Sequence, residues 1–362
     1  MLKGRDFRVT ERKEKTDTMF AEEKLLSENI AKSDPKKVYQ LYEGWPANAE
    51  ETLKKSPEMT PKKYERVVYL AVGGSATAGD IISDWFLSSG GVEVSVFRGS
   101  LPKLNLENTL VIICSTSGDT VETLRMADTV RAHHPDIVTI SHDGKLKELA
   151  AREGMMHVDI GLAKAPRFSL PFSLFASVAV LRSAGLLEGI EWELDDTIST
   201  LKKLTRAIGI ASPIADNRAK QVAKTIGKKE ACIYASSATK SVARRFKNSL
   251  NENAKMHARF DSAPDIFHNE VEAWEGDDSR QQPILLRRGK DPASESRALD
   301  AFSALLASRN ADPARVDATG EGNLSQLMSL CFTLDFASYY TALLNDVEPF
   351  EIALIDQLKK SR

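Results

Sequence analysis

The stretch RVVYLAVGGSATAGDIISDWFL (Arg66–Leu87) passes from a continuous apolar run, through paired glycines, into a helical pattern. Apolar residues on consecutive positions suit a central strand covered on both faces. Gly73 and Gly74 let the chain turn sharply and approach a ligand. The helix that follows presents unpaired backbone N–H groups at its start, where an anion is favoured. A tight strand-to-helix turn needs glycine with no ligand at all, so this turn alone assigns no function.

The same alternation continues outward. VEVSVF, TLVIICS, DIVTISH and MMHVDI read as strands, VETLRMADTVRAH as a helix, and FSLFASVAVLRSAGLL as an apolar helix. After a charged, amphipathic stretch a second series follows: strand ACIYAS, helix SVARRFKNSLNENAK, strand PILLRR, helix SESRALDAFSALLASR, strand ARVDAT and the long helix LSQLMSLCFTLDFASYYTALLN. Strands that keep alternating with helices predict parallel sheets with crossover helices, an α/β architecture. The expected organisation is an N-terminal tail and helical arm over 1–45, a first subdomain over 46–190, a helical connector over 191–229, a second subdomain over 230–347 and a terminal helical segment over 348–362.

A chain of 362 residues exceeds the usual single-domain size, which agrees with two subdomains. Its 49 Lys and Arg against 51 Asp and Glu give no basic excess of the kind that attracts nucleic acid. Cys114, Cys232 and Cys331 are few and far apart, which argues against a disulfide framework and against a zinc site, and fits a reducing cytoplasm. No run of about 18 apolar residues stands out, and the charged start MLKGRDFRVTERKEKTDTMF is unlike a signal peptide.

CSTSGDTVETL (Cys114–Leu124) repeats the logic of the glycine turn, with Ser115, Thr116, Ser117 and Thr120 clustered at a helix start. Hydroxyl donors plus helix-terminal amides suit a phosphate. The alternative is a helix cap with spare hydroxyls. Two such loops at strand ends of one sheet favour a ligand. Further on, NENAKMHARFDSAPDIFHNE (Asn251–Glu270) holds Glu252 and His268, residue types that environment tunes toward neutral pH for acid–base work. With Val242, Phe246 and Leu250 as the buried stripe of a helix, Glu252 faces away from that stripe. His257 is the rival to His268. His133, His134, His142 and His157 read as structural.

GGSATAGD and STSGDTVET together resemble the sugar isomerase (SIS) domain, a flavodoxin-like αβα sandwich around a central parallel sheet. PRFSLPFS (Pro166–Ser173), NENAK with PDIFHNEVEAW, and the terminal EPFEIALIDQLKK resemble signatures of the bifunctional phosphoglucose/phosphomannose isomerase group. The resemblance implies two SIS-type subdomains and an aldose–ketose isomerase for glucose 6-phosphate and fructose 6-phosphate, extending to mannose 6-phosphate, with no cofactor and no metal. It implies Ser115, Ser117 and Thr120 on the phosphate, and Gly74 and Ser75 beside the sugar. Glu252 is implied as the base that moves the proton between C1 and C2, and Arg167 as the stabiliser of the enediolate. His268 is implied for ring opening, contributed by the partner subunit of a homodimer, with Lys359 near the ring oxygen.

Three departures bear on that expectation. Thr116 and Asp119 stand where the group has an aromatic residue and an amide, and a carboxylate beside a phosphate repels it unless it turns outward or caps a helix. Pro171 and Phe172 replace Gly and Tyr. Phe350 replaces a threonine close to the sugar's C2 side, which touches the mannose 6-phosphate reaction in particular. The alternatives are a catalytically weak phosphosugar sensor, and a SIS enzyme acting on another phosphosugar.

Overall fold

The structure, a computed structural model, describes residues 22–133, 135–276 and 279–361. The tail expected over the first twenty residues, and His134, lie outside the described residues. Three short helices open the described chain: α1 (Ser27–Ser33), α2 (Val38–Glu43) and α3 (Trp45–Leu53).

The first sheet comprises β1 (Arg66–Leu70), β2 (Glu93–Phe97), β3 (Thr109–Cys114), β4 (Asp136–Ser141) and β5 (Met156–Asp159). All pair in parallel in the order β2-β1-β3-β4-β5. Between them run α4 (Gly74–Ser89), α5 (Val121–Arg131) and α6 (Lys145–Glu153), followed by α7 (Leu170–Ser183). Every residue of β3 is buried, as its uninterrupted apolar sequence requires of a strand covered on both faces.

Two helices, α8 (Trp192–Ile208) and α9 (Arg218–Ile226), lead to the second sheet of β6 (Glu230–Ala235), β7 (Ala258–Ser262), β8 (Gln281–Arg287) and β9 (Ala314–Asp317). These also pair in parallel, in the order β7-β6-β8-β9. The helices of this half are α10 (Lys240–Ser249), α11 (Ala293–Ser308), α12 (Asn323–Leu344) and α13 (Ala353–Lys360). The fold is therefore α/β with two parallel-sheet subdomains.

The sequence reading missed one strand. β7 is the segment ARFDS, hidden inside the polar stretch that drew attention for its acid–base residues. It is an edge strand whose first four residues are only half-buried, so it lacks the apolar run that marks β1 or β3.

One apolar core runs through both subdomains, joined by α7, α8, α9 and α12. Separate clusters cover the outer face of the first sheet and that of the second. α12 is long and apolar enough to cross a membrane by composition, contrary to the sequence expectation. The whole of its apolar window is buried inside the protein, where an all-round apolar helix belongs to the core.

Candidate active site

The two hydroxyl-rich loops follow β1 and β3, neighbouring strands from which the chain departs in opposite directions. That arrangement leaves a crevice at their C-terminal ends, the usual ligand position in open α/β sheets. Gly73 has φ +59°, and a Cβ on Gly74 would lie 2.9 Å from the carbonyl oxygen of Pro166. Glycine thus lets the turn carrying Arg167 pack directly on the start of α4. Gly118 has φ +78°, and a Cβ there would lie 1.7 Å from the Asp143 carbonyl oxygen, so the second loop also requires glycine.

The hydroxyls divide into those that build the loops and those that face outward. The Ser75 and Thr116 hydroxyls are 3.1 Å apart, Thr116 N–H donates to Ser75 Oγ, and Thr116 Oγ1 donates to Ser169 Oγ at 2.9 Å. Ser75 and Thr116 are both buried, and they tie the two loops to the Pro166–Ser169 turn. Ser115 and Thr120 pair through their hydroxyls at 3.0 Å. Ser117 is exposed, and its oxygen accepts from the Asp119 N–H, which leaves its own O–H to donate. Asp119 turns its carboxylate to the start of α6, where Oδ1 accepts from Lys145 N–H at 3.1 Å. This answers the repulsion expected from its charge.

The corresponding loops of the second subdomain are filled from within. Ser236 Oγ donates to Asp291 at 2.6 Å, and Ser237 donates through both N–H and Oγ to Glu295 at 2.7 Å each. Ser241 N–H, at the start of α10, donates to Asp84 of α4 at 2.8 Å. Carboxylates occupy the donors that a phosphate would need, so only the first subdomain presents an open anion loop among the described residues.

Arg167 sits on the short turn Pro166–Phe168 and is 4 % exposed. Its Nε donates to Asn253 Oδ1 at 2.9 Å, and Nη2 donates to the carbonyls of Pro349, at 3.0 Å, and Phe350. Its Nη1 lies 3.6 Å from Glu252 Oε2 and has no hydrogen-bond partner. An unsatisfied buried donor is costly, about 1–3 kcal/mol and more when charged, so this N–H asks for a ligand.

Glu252 does not lie on an α-helix as its periodicity suggested. α10 ends at Ser249 and widens into a π-helical turn, Leu250–Ala254, closed by Lys255 in the left-handed region at φ +55°. Such turns cluster at functional sites because they re-aim a side chain. The Glu252 carboxyl is 28 % exposed, and burial pushes its pKa above the ordinary value against the opposing pull of Arg167. It opens onto a cleft of about 550 Å³ shared with Lys255, His257 and residues 351–355. Lys255 Nζ donates to the Glu252 carbonyl at 2.6 Å and to the Glu348 carbonyl at 3.1 Å.

Residues that sequence reasoning passed over hold this centre. Asn253 Nδ2 donates to the hydroxyls of Tyr42 and Ser338, both at 2.8 Å. Arg245 donates through Nη2 to the Arg167 carbonyl at 3.0 Å and through Nε to the buried Asp335 at 3.2 Å, while Ser249 Oγ donates to the other Asp335 oxygen at 2.9 Å. Asp335 is the single charged residue of α12, and that interruption of an otherwise uncharged helix was the available signal.

The other expected residues stand apart. His268 is exposed, just after the short turn Asp265–Phe267 beyond the end of β7, whereas Glu252 precedes the start of β7. Five strand residues separate the two by roughly 15 Å along the strand. Lys359 is exposed on α13, which buries none of its described residues. Leu354 and Leu358 of that helix are 81 % and 55 % exposed. The terminal segment expected over the site meets it through the Pro349 and Phe350 carbonyls and lines the Glu252 cleft with residues 351–355. Phe350 stacks on Phe168 with centroids 6.1 Å apart. His142 and His157 make structural hydrogen bonds to Ile160 O and Thr139 Oγ1.

Two parallel α/β subdomains with a serine- and threonine-rich loop at the switch point of the first fit a two-subdomain SIS fold. Residues 215–361 match the family described as the bacterial phospho-glucose isomerase C-terminal SIS domain. The chain is 28 % identical over 309 residues to the bifunctional phosphoglucose/phosphomannose isomerase of Caldicellulosiruptor bescii, covering 84 % of this chain and 91 % of that one. It is 29 % identical over 262 residues to the D-glucosamine-6-phosphate 4-epimerase of Sulfolobus acidocaldarius, covering 71 % of this chain and 79 % of that one. In fold it is similar to a hypothetical protein of Thermus thermophilus, with a TM-score of 0.72 at 17 % identity, covering 95 % of this chain and 94 % of that one. Over most of its length the chain is thus similar to bifunctional phosphoglucose/phosphomannose isomerases, and its C-terminal part to their SIS domain.

Proposed function

We propose that this protein is a phosphosugar isomerase interconverting glucose 6-phosphate and fructose 6-phosphate, and mannose 6-phosphate with fructose 6-phosphate. The observation that carries the reading is the Arg167–Glu252 pair, in which a carboxylate with a raised pKa faces a guanidinium N–H that has no acceptor.

In this reading the loop Ser115–Thr120 holds the phosphate, with Ser117 Oγ and the start of α5 as donors and Gly74 beside the sugar. Glu252 takes the proton from C2 of the open-chain aldose. The negative charge that forms on the enediolate oxygen is met by Arg167 Nη1, already held in place by Asn253 and two carbonyls. Glu252 then returns the proton to C1 while the proton of the C2 hydroxyl passes to the C1 oxygen, which leaves the carbonyl at C2 and the protein as it began. Partial burial serves the carboxylate, because a base with a pKa nearer neutrality transfers protons in both directions more readily.

Ring opening precedes this step. His268 of a partner subunit in a homodimer, together with Lys359, supplies it. The separation of His268 from Glu252 by the length of β7 supports contribution from a second copy. The protein works in the cytoplasm.

The test is turnover of glucose 6-phosphate and of mannose 6-phosphate by purified protein, with the product measured in a coupled assay. Tight phosphosugar binding without turnover of either overturns the reading. Phe350→Thr returns a hydroxyl to the segment near Arg167 and is expected to raise mannose 6-phosphate turnover relative to glucose 6-phosphate turnover.

A further inference from the structure

On the surface away from both hydroxyl-rich loops, α3 and α8 form the walls of a groove of about 740 Å³. That volume is in the range of small-molecule sites. Its charged lining is unbalanced: Lys54, Arg182, Lys202, Lys203 and Arg206 against Glu50 and Asp195. Lys202 pairs with Glu50, and Arg182 donates to the Leu53 carbonyl at 2.8 Å. The side chains of Lys54, Lys203 and Arg206 make no hydrogen bond or ion pair to the described residues, and all three are exposed. Lys202 and Arg206 are four apart on one face of α8, a like-charge spacing that works against the helix.

A near-neutral chain that gathers five cations in one groove, with Lys54 and Arg206 uncommitted and Lys203 met only by the attraction of Asp196, has concentrated positive field where a low-dielectric wall focuses it. Leu53 and Ile198 supply the apolar part of that wall. None of these residues belongs to the site described above, and the hydroxyl-rich loops contribute nothing to the groove.

We propose that this groove binds a small molecule carrying several clustered phosphate charges, engaged by Lys54, Lys203 and Arg206. A single phosphate monoester leaves most of these cations unmatched, whereas a chain of phosphates reaches them together. Guanidinium and ammonium groups bind such oxygens through charge-assisted hydrogen bonds.

Inorganic triphosphate is the probe, titrated calorimetrically into the intact protein and into Lys203→Glu/Arg206→Glu. Saturable binding to the unaltered protein, weakened at least about tenfold by the double charge reversal and restored in Lys203→Arg/Arg206→Lys, is the expected result. Isomerase activity of the double variant stays at the level of the unaltered protein, since the substituted residues are remote from Glu252 and Arg167. Absence of saturable binding overturns the proposal. So does binding that is insensitive to the charge reversal, or that fructose 6-phosphate displaces, because displacement puts the probe on the Ser115–Thr120 loop. Binding of single-stranded RNA but not of triphosphate also overturns it.

Discussion

Arg167 Nη1 lies 3.6 Å from Glu252 Oε2 and donates to no other group, although every other nitrogen of that guanidinium has an acceptor. Three anchors fix the cation, and the fourth direction is left open toward the carboxylate. The geometry is preorganised for charge that develops between the two groups. Arg167→Lys keeps the charge but cannot hold Asn253 and two carbonyls at once. Its kcat is expected to fall about 10²–10³-fold with a smaller change in KM, measured in the steady state.

The Glu252 carboxyl titrates above its ordinary value because burial outweighs the attraction of Arg167. As the proposed base, Glu252 must be ionised, so kcat/KM is expected to fall on the acid side at a pH above the ordinary glutamate value. Arg167→Met removes the opposing attraction, and the acid limb is expected to move further up in the pH profile of kcat/KM.

The same shift carries a stability consequence. A group whose folded pKa is raised contributes stability that is complete below its unfolded value and is lost as pH rises through the folded one. Ionised Glu252 is thus a net cost at neutral pH. Glu252→Gln is expected to raise the melting temperature at pH 7, and the gain is expected to shrink as pH falls toward 4.

Arg245 and Asp335 are buried partners that connect α10 to α12 and reach the Arg167 backbone. Asp335→Ala leaves a buried cation uncompensated, and about 3–5 kcal/mol of stability is expected to be lost in urea unfolding. Arg245→Met/Asp335→Leu is expected to regain most of that stability. It does not regain full activity, because the Arg167 carbonyl has lost its donor.

The candidate site was only partly legible in the sequence. β1, β3 and their loops stood out because apolar runs ending in glycine and hydroxyl residues have few other readings, and the structure places all five strands of the first sheet where those runs lie. β7 did not stand out, since a half-buried edge strand needs no apolar run. Glu252 was marked by its neighbours in the chain, but its turn was invisible, because one residue per turn beyond α-helical geometry leaves no trace in the apolar spacing. Tyr42 and Asp335 join Arg245 and Asn253 only through tertiary packing, from positions far along the chain, so spacing could not announce them. Ser75 looked like a sugar contact, whereas its hydroxyl is committed to Thr116.

The proposed sharing of the site between two subunits has its own check. Glu252→Gln and His268→Ala are each expected to be nearly inactive alone. Mixed and allowed to exchange subunits in equal amounts, half of the dimers become hybrids, and each hybrid holds one site with both residues intact. About a quarter of the original activity is expected to return, the fraction that random pairing of two subunits dictates. No recovery after demonstrated exchange contradicts a shared site.

Proton transfer at carbon by Glu252 is tested most directly by isotope exchange. Glucose 6-phosphate is incubated with the protein in deuterated water, and the recovered sugar is read by NMR for deuterium at C2. The protein is expected to introduce deuterium there, and Glu252→Gln is expected to slow the incorporation about 10²–10⁴-fold while the variant remains folded. Equal incorporation by the two proteins contradicts the assignment of the base, and no incorporation or turnover by the unaltered protein contradicts the isomerase itself.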